Sequence, residues 1–150
     1  MAADSTHMAT LIPELALWNE GQGIAVDQWI LCVGSMEHAI GYTSLFWPRF
    51  VLFDECIFLG MVDEQVYHTW LDACHGDKTA VERVMNHSHI TDLFDSESVA
   101  QIRYLGQRLQ EMWHAKLRSQ FPDHLITVEF HEPEDESLMD YQITVFQPRQ

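Results

Sequence analysis

Residues 24–59 read IAVDQWILCVGSMEHAIGYTSLFWPRFVLFDECIFL and contain seven aromatic side chains against five charged ones. A large aromatic side chain removes roughly 150–250 Å² of surface from water when it is buried. Such a stretch stays out of water only if other segments cover it. We therefore expect the rest of the chain to pack around these residues, and we work outward from them.

The first half of the stretch predicts two helical segments. Asp27 is the expected N-cap of a short apolar segment over residues 28–33, which Gly34 ends. Ser35 is the expected cap of a second helix over residues 36–46. The apolar residues of this second segment fall on more than one face, which indicates a buried helix.

In the second half of the stretch, the spacing of the apolar residues no longer follows a helix. Residues 50–59 read FVLFDECIFL, two short apolar runs around Asp54 and Glu55. This pattern fits either a hairpin or one bent, buried strand. Because Asp-Glu is not a preferred two-residue hairpin turn, the sequence leaves both alternatives open.

Three further helices follow, each with a recognisable cap. Asp63 and Asp77 are the expected N-caps of two helices, and Ser98 with Gln101 predicts a capping box that begins a long helix over residues 99–120. Two-layer packing requires the inward faces of separate elements to meet. We expect one shared core to contain Trp70, Leu71, Leu109, Trp113, Val128 and Ile143.

The end of the chain predicts a pair of strands. Apolar and polar residues alternate over residues 126–131 and 141–145, and the acidic segment 132–137 joins them as a hairpin loop. The predicted fold class is α+β, with four to five helices packed on a small antiparallel sheet that includes this hairpin. Residues 50–59 are a candidate addition to that sheet.

The length of 150 residues suits one domain. Residues 1–8, MAADSTHM, resemble an expression leader, so we assign the globular domain to residues 9–150. The three cysteines (Cys32, Cys56 and Cys74) are far apart and odd in number, which predicts reduced thiols in a cytoplasmic protein. The charge-free run of residues 38–48 is too short to span a membrane, and the N-terminus shows no secretory pattern.

Charge is the unusual property of this chain. It contains 23 Asp and Glu against 8 Lys and Arg, a formal net charge of −15. Such a chain repels nucleic acid and anionic membranes and attracts a protein with a basic surface. The alternative is that the acids serve solubility alone.

Two histidine groups are candidate metal ligands. His68, Asp72 and His75 follow one side of a predicted helix, and His87 and His89 lie together after the next helix. Imidazole and carboxylate groups in such patterns can bind zinc, as in a small metal-dependent enzyme or a metal-regulated domain. The alternative is that they occupy solvent-facing positions and helix ends. We expect no bound metal and no cofactor, and we find no catalytic motif.

The acidic loop is the candidate partner-binding site. Glu132, Glu134, Asp135 and Glu136 fall within six residues that contain no base, and they are our predicted contact residues. Docking through exposed aromatic side chains, for instance Trp47 and Phe50, is the alternative.

A resemblance adds to this interpretation. At WNEGQGI (18–24) and GYTSLFWPRFVLFD (41–54) the sequence resembles small acidic bacterial proteins of unassigned function, and it is similar to immunity proteins that neutralise a toxin from a neighbouring gene. The resemblance implies a non-enzymatic protein that blocks a basic toxin surface. The alternatives are the metal-dependent enzyme described above and an accessory or oligomerising subunit, including a homo-oligomer.

Overall fold

The computed structural model describes residues 2–149, with side chains from His7 onward. The chain divides into two compact units, Met1–Tyr42 and Thr43–Gln150, and we describe each by itself. The leader at residues 1–8 and the single domain over residues 9–150 stay predictions.

The first unit is helical. Its elements are α1 (Ala2–Leu11), a 3₁₀ turn (Pro13–Leu17), α2 (Val26–Val33) and the beginning of α3 (Met36–Phe46). Gly34 ends α2 as predicted, and its N–H donates to Ile30 O at 2.8 Å. The predicted N-cap Asp27 is wrong, because Ala25 occupies that position and donates its N–H to Gln28 Oε1 at 3.2 Å. The predicted cap Ser35 is confirmed, since its hydroxyl accepts from His38 N at 3.3 Å.

The expectation that the rest of the chain packs around residues 24–59 is wrong for their first half, and so is the prediction that residues 36–46 form a buried helix. Neither α2 nor α3 contains a buried residue. Buried apolar side chains of the first unit are Leu11 and Leu15. A unit of about 40 residues buries too small a share of its surface to cover two apolar helices by itself.

The second unit begins with a hairpin, which answers the alternative left open by the sequence. β1 (Phe50–Phe53) pairs antiparallel with β2 (Cys56–Leu59), and Phe53 lies opposite Cys56. The two turn residues, Asp54 and Glu55, both have positive φ, 45° and 63°, as in the mirror-image turns that suit the twist of a hairpin. Phe50 is buried, which removes it from the alternative of docking through exposed aromatic side chains, whereas Trp47 is exposed.

Helices and a second sheet complete this unit. The elements are α4 (Glu64–Ala73), α5 (Lys78–Met85), β3 (Ser88–His89), α6 (Ile90–Leu93), α7 (Val99–Gln120), β4 (Thr127–His131), a 3₁₀ turn (Leu138–Asp140) and β5 (Gln142–Phe146). The predicted caps Asp63, Asp77 and Ser98 are confirmed. The second half of the capping box differs, because Gln101 Oε1 accepts from Ser96 Oγ.

The C-terminal hairpin forms as predicted. β4 and β5 pair antiparallel with Phe130 opposite Ile143, and β3 adds to the other edge of β5. The predicted α+β class is confirmed, with seven α-helices among the described residues. The β1–β2 hairpin forms a sheet of its own and does not extend this one.

Two apolar clusters replace the single predicted core. Four of the predicted residues share the larger cluster, which lies between α7 and the sheet: Leu109, Trp113, Val128 and Ile143. The smaller cluster lies beneath β2, α4 and α5 around Tyr67. Leu71 is partly buried against the smaller cluster, and Trp70 is 39% exposed, so the prediction is wrong for both. The buried residue of α4 is instead Tyr67.

Candidate interaction surface

The acidic loop lies against the first turns of α7. Arg103 pairs with Glu132 through its Nε and reaches Glu136 Oε1 at 3.5 Å. Gln107 Nε2 donates to the second oxygen of Glu132 at 3.3 Å. The hydrogen bond to Glu132 raises the pKa of the Arg103 guanidinium above its ordinary value. The long helix therefore holds the loop in place through two of its acids.

The four predicted contact residues do not have equal roles. Glu132 and Glu136 are paired with Arg103, and Asp135 Oδ1 accepts from Ser137 N at 3.1 Å, which shapes the turn. Glu134 is exposed, and among the described residues it makes no ion pair within the chain. Of the four, it is the carboxylate best placed to meet a partner.

A second acidic segment lies at the same end of α7. It consists of α6 and the loop after it, carries Asp92, Asp95 and Glu97, all exposed, and leads directly into the helix. Thr91 Oγ1 donates to Met139 Sδ at 3.7 Å, and Ile90 N donates to Tyr141 O at 2.9 Å, so α6 is tied to the end of the acidic hairpin. We name the combined surface the acidic edge: Asp92, Asp95, Glu97, Glu132, Glu134, Asp135, Glu136 and Asp140.

Most bases of the chain are already neutralised internally. Five of the eight Lys and Arg side chains pair with acids of the described chain: Lys78, Arg83, Arg103, Arg108 and Arg149. In the part of the chain that the structure describes, the base that pairs with the acidic edge is Arg103, against eight carboxylates. The charge presented by this edge is therefore strongly negative.

The histidine groups do not assemble into a metal site within the described residues. No group of three or more His, Cys, Asp or Glu side chains converges there, and this holds for both His68, Asp72, His75 and His87, His89. The rings of His87 and His89 lie 5.5 Å apart, but each Nδ1 is already bonded to a backbone carbonyl, that of Val84 or Met139.

A buried polar cluster beneath β2 was missed from the sequence. The carboxylate of Glu82 is fully buried, accepts from Ile57 N at 2.7 Å and from Gln147 N at 2.8 Å, and pairs with Arg149 at 2.9 Å. Beside it, burial raises the pKa of the Cys56 thiol. A neutral thiol with no exposed surface is a poor nucleophile, so this cluster serves the fold. The helix pattern gave no signal for it, because the residues three and four positions from Glu82 are Lys78, Thr79, Met85 and Asn86, which are mostly polar.

The hairpin turn is held by a related set of contacts. Tyr67 OH donates to Asp54 Oδ2 at 2.6 Å, and Lys78 Nζ bonds Asp54 O at 2.8 Å and Glu55 Oε2 at 3.0 Å. The hydrogen bond from Tyr67, followed by that from Lys78, lowers the pKa of Asp54. These contacts stabilise two non-glycine residues in the left-handed region, which favours glycine.

Comparison with known proteins identifies a family whose description names no activity. A family model described as "Uncharacterized protein PM0498 family" matches residues 41–147. Searches of curated proteins and of solved structures find no match. Within the described residues, no helix is long and apolar enough to span a membrane. The acidic edge lies inside the matched range, and α2 lies before it.

Proposed function

The chain belongs to the Uncharacterized protein PM0498 family, and we propose that it is a non-enzymatic acidic binding protein that neutralises a basic protein partner. The observation that carries the proposal is the acidic edge, where two neighbouring segments bring eight carboxylates to one end of α7 and where, among the described residues, Arg103 is the base that pairs with them. The resemblance to immunity proteins supports a bacterial toxin as this partner.

Two physical effects support binding at this edge. A concentration of like charge attracts an oppositely charged surface over a distance, so it raises the rate of encounter before any contact forms. The pairing of Arg103 with Glu132 and Glu136 holds the loop in one position, which reduces the entropy lost when a partner binds. The edge thus combines long-range attraction with a preformed shape.

The thiols support a reducing compartment. All three cysteines are free in the structure, with Cys32 exposed and Cys56 buried. An exposed free thiol persists where glutathione and thioredoxin keep cysteines reduced. Cytoplasmic action is therefore part of the proposal.

Capture from the native host with two matched variants tests the proposal. The edge variant carries Asp92→Asn, Asp95→Asn, Glu97→Gln and Glu134→Gln, and leaves the acids bound to Arg103 intact. The off-edge variant removes four exposed acids that lie outside both the acidic edge and the first unit, through Glu64→Gln, Asp72→Asn, Glu111→Gln and Asp123→Asn. Both lose the same charge, so a difference between them reports position.

We expect wild type and the off-edge variant to capture the same basic protein and the edge variant to lose it. Quantitative mass spectrometry of the captured proteins measures this. Equal capture by both variants would contradict a role for the edge.

A further inference from the structure

The first unit leaves an apolar helix surface uncovered. In α2, Ile30, Leu31 and Val33 are all exposed, and Leu31 is 87% accessible to solvent. Residues 28–36 contain no charged side chain. Monomeric soluble proteins rarely expose a contiguous apolar patch of this kind unless it meets another molecule.

This surface borders a groove of useful size. Two adjoining open depressions, of about 480 and 610 Å³, share the lining residues Gly23, Ile24 and Gln28. Trp18, Leu31 and Cys32 line the larger one. We name this combined feature the α2 groove. Each volume lies within the range of about 300–1,000 Å³ that is typical of binding clefts.

The rim of the α2 groove is acidic. Glu20 and Asp27 are exposed, and each is adjacent in sequence to a lining residue, Asn19 or Gln28. Residues 1–42 contain no Lys or Arg at all. A second copy of the chain would bring acids against acids, and an anionic membrane surface would be repelled in the same way. The complementary occupant has apolar side chains flanked by Lys or Arg.

We propose that the α2 groove binds a cationic amphipathic helix of the partner protein, whose apolar face contacts the lining side chains Ile24 and Leu31 and whose Lys or Arg residues meet Glu20 and Asp27. This inference rests on the proposed function, because it gives the same basic partner a second point of contact. Laying an amphipathic helix in an apolar groove is a recurring mode of recognition. The acidic edge would then supply attraction, and the groove would supply apolar contact.

Two synthetic peptides test the groove without knowledge of the partner. Both are 14-residue amphipathic helices with the same leucine face, and the polar face is Lys in one and Glu in the other. Cys32 reports occupancy, because its exposed thiol lines the groove whereas Cys56 is buried. The rate of maleimide labelling at Cys32, assigned by mass spectrometry, is measured for full-length protein with each peptide.

We expect the Leu/Lys peptide to slow labelling of Cys32 at least about tenfold and the Leu/Glu peptide to leave it unchanged, because unlike charges attract and like charges repel at the rim. Leu31→Asp should weaken the effect of the Leu/Lys peptide by about tenfold or more, since it puts a charge where an apolar contact is needed. The control Leu125→Asp, at a leucine that is 74% exposed outside the groove, should behave like wild type.

Three results would overturn the inference: equal protection by both peptides, protection that persists in Leu31→Asp, or a wild-type dimer in light scattering that Leu31→Asp converts to monomer. The last would assign the groove to a second copy. The edge variant separates this test from that of the proposed function. If the edge variant no longer captures the partner but the Leu/Lys peptide still protects its Cys32, both proposals stand. If the edge variant captures the partner as wild type does and its Cys32 is protected, the proposal for the groove stands and the proposal for the acidic edge is wrong.

Discussion

The side chains of Glu82 in α5 and of Asn86, the C-cap of that helix, join two sheets that share no ladder among the described strands. Glu82 accepts from the backbone N–H of Ile57 in β2 and from that of Gln147 after β5. Asn86 donates to Ile57 O at 2.7 Å and to Val145 O at 2.9 Å, and accepts from Leu59 N at 2.9 Å. Buried backbone groups that lack a ladder partner are thus satisfied by α5.

Replacing Asn86 by Ala should lower the free energy of unfolding by about 3 kcal/mol or more, because it leaves three backbone groups unsatisfied at an average of about 1 kcal/mol or more each. Asp72→Ala, on the exposed side of α4, is the control and should change the free energy of unfolding by about 0.5 kcal/mol or less. Urea denaturation measures both. Similar midpoints for the two variants would show that α5 does not join the sheets.

Trp113 and Trp70 should respond differently to truncation. Trp113 is 2% exposed, and its Nε1 donates to Leu45 O at 2.7 Å, so Trp113→Ala should cost about 3–5 kcal/mol. Trp70 is 39% exposed, and Trp70→Ala should cost about 1 kcal/mol or less. Equal losses in denaturant unfolding would argue that Trp70 belongs to a core after all.

Tyr67→Phe should destabilise the protein in a pH-dependent way. A carboxyl whose folded pKa lies below its unfolded pKa adds stability above the unfolded value, 3.8 for Asp54, and loses it as the pH falls through the folded value. Because the Tyr67 hydroxyl is the largest cause of that lowering, the gap between wild type and Tyr67→Phe should be widest near neutral pH and should narrow below 3.8.

Unfolding free energies measured from about pH 3 to about pH 7 check this dependence. In an Asp54→Asn background the effect of Tyr67→Phe should no longer vary with pH. A gap that is constant across the range in the native background would mean that the hydroxyl does not act through Asp54.

Local signals in the sequence predicted much of this fold. Asp63, Asp77 and Ser98 cap their helices because a short polar side chain satisfies nearby N–H groups with no help from distant residues. The spacing of apolar residues along α7 and the alternation of apolar and polar residues in β4 and β5 are also signals that neighbouring residues carry by themselves. These elements were therefore predictable from a single chain.

What the sequence did not reveal depends on distant residues. Arg103 and Glu132 are 29 positions apart, and Ile57 and Glu82 are 25 apart, so neither pairing leaves a periodic signal. The Asp54-Glu55 turn between β1 and β2 is held by Tyr67 from α4 and Lys78 from α5. The apolar composition of α2 predicted burial, but composition does not say whether the same chain supplies the cover.

The dependence of association rate on ionic strength tests the central claim, that the acidic edge binds a basic protein. With the captured partner, the rate for wild type should fall at least about tenfold between about 50 mM and about 500 mM salt, because exposed charges are screened over roughly 10 Å or less at about 0.1 M and above. The off-edge variant should keep that slope, and the edge variant should bind more slowly at low salt with a shallower slope. Identical rates and slopes for wild type and both variants would contradict the account.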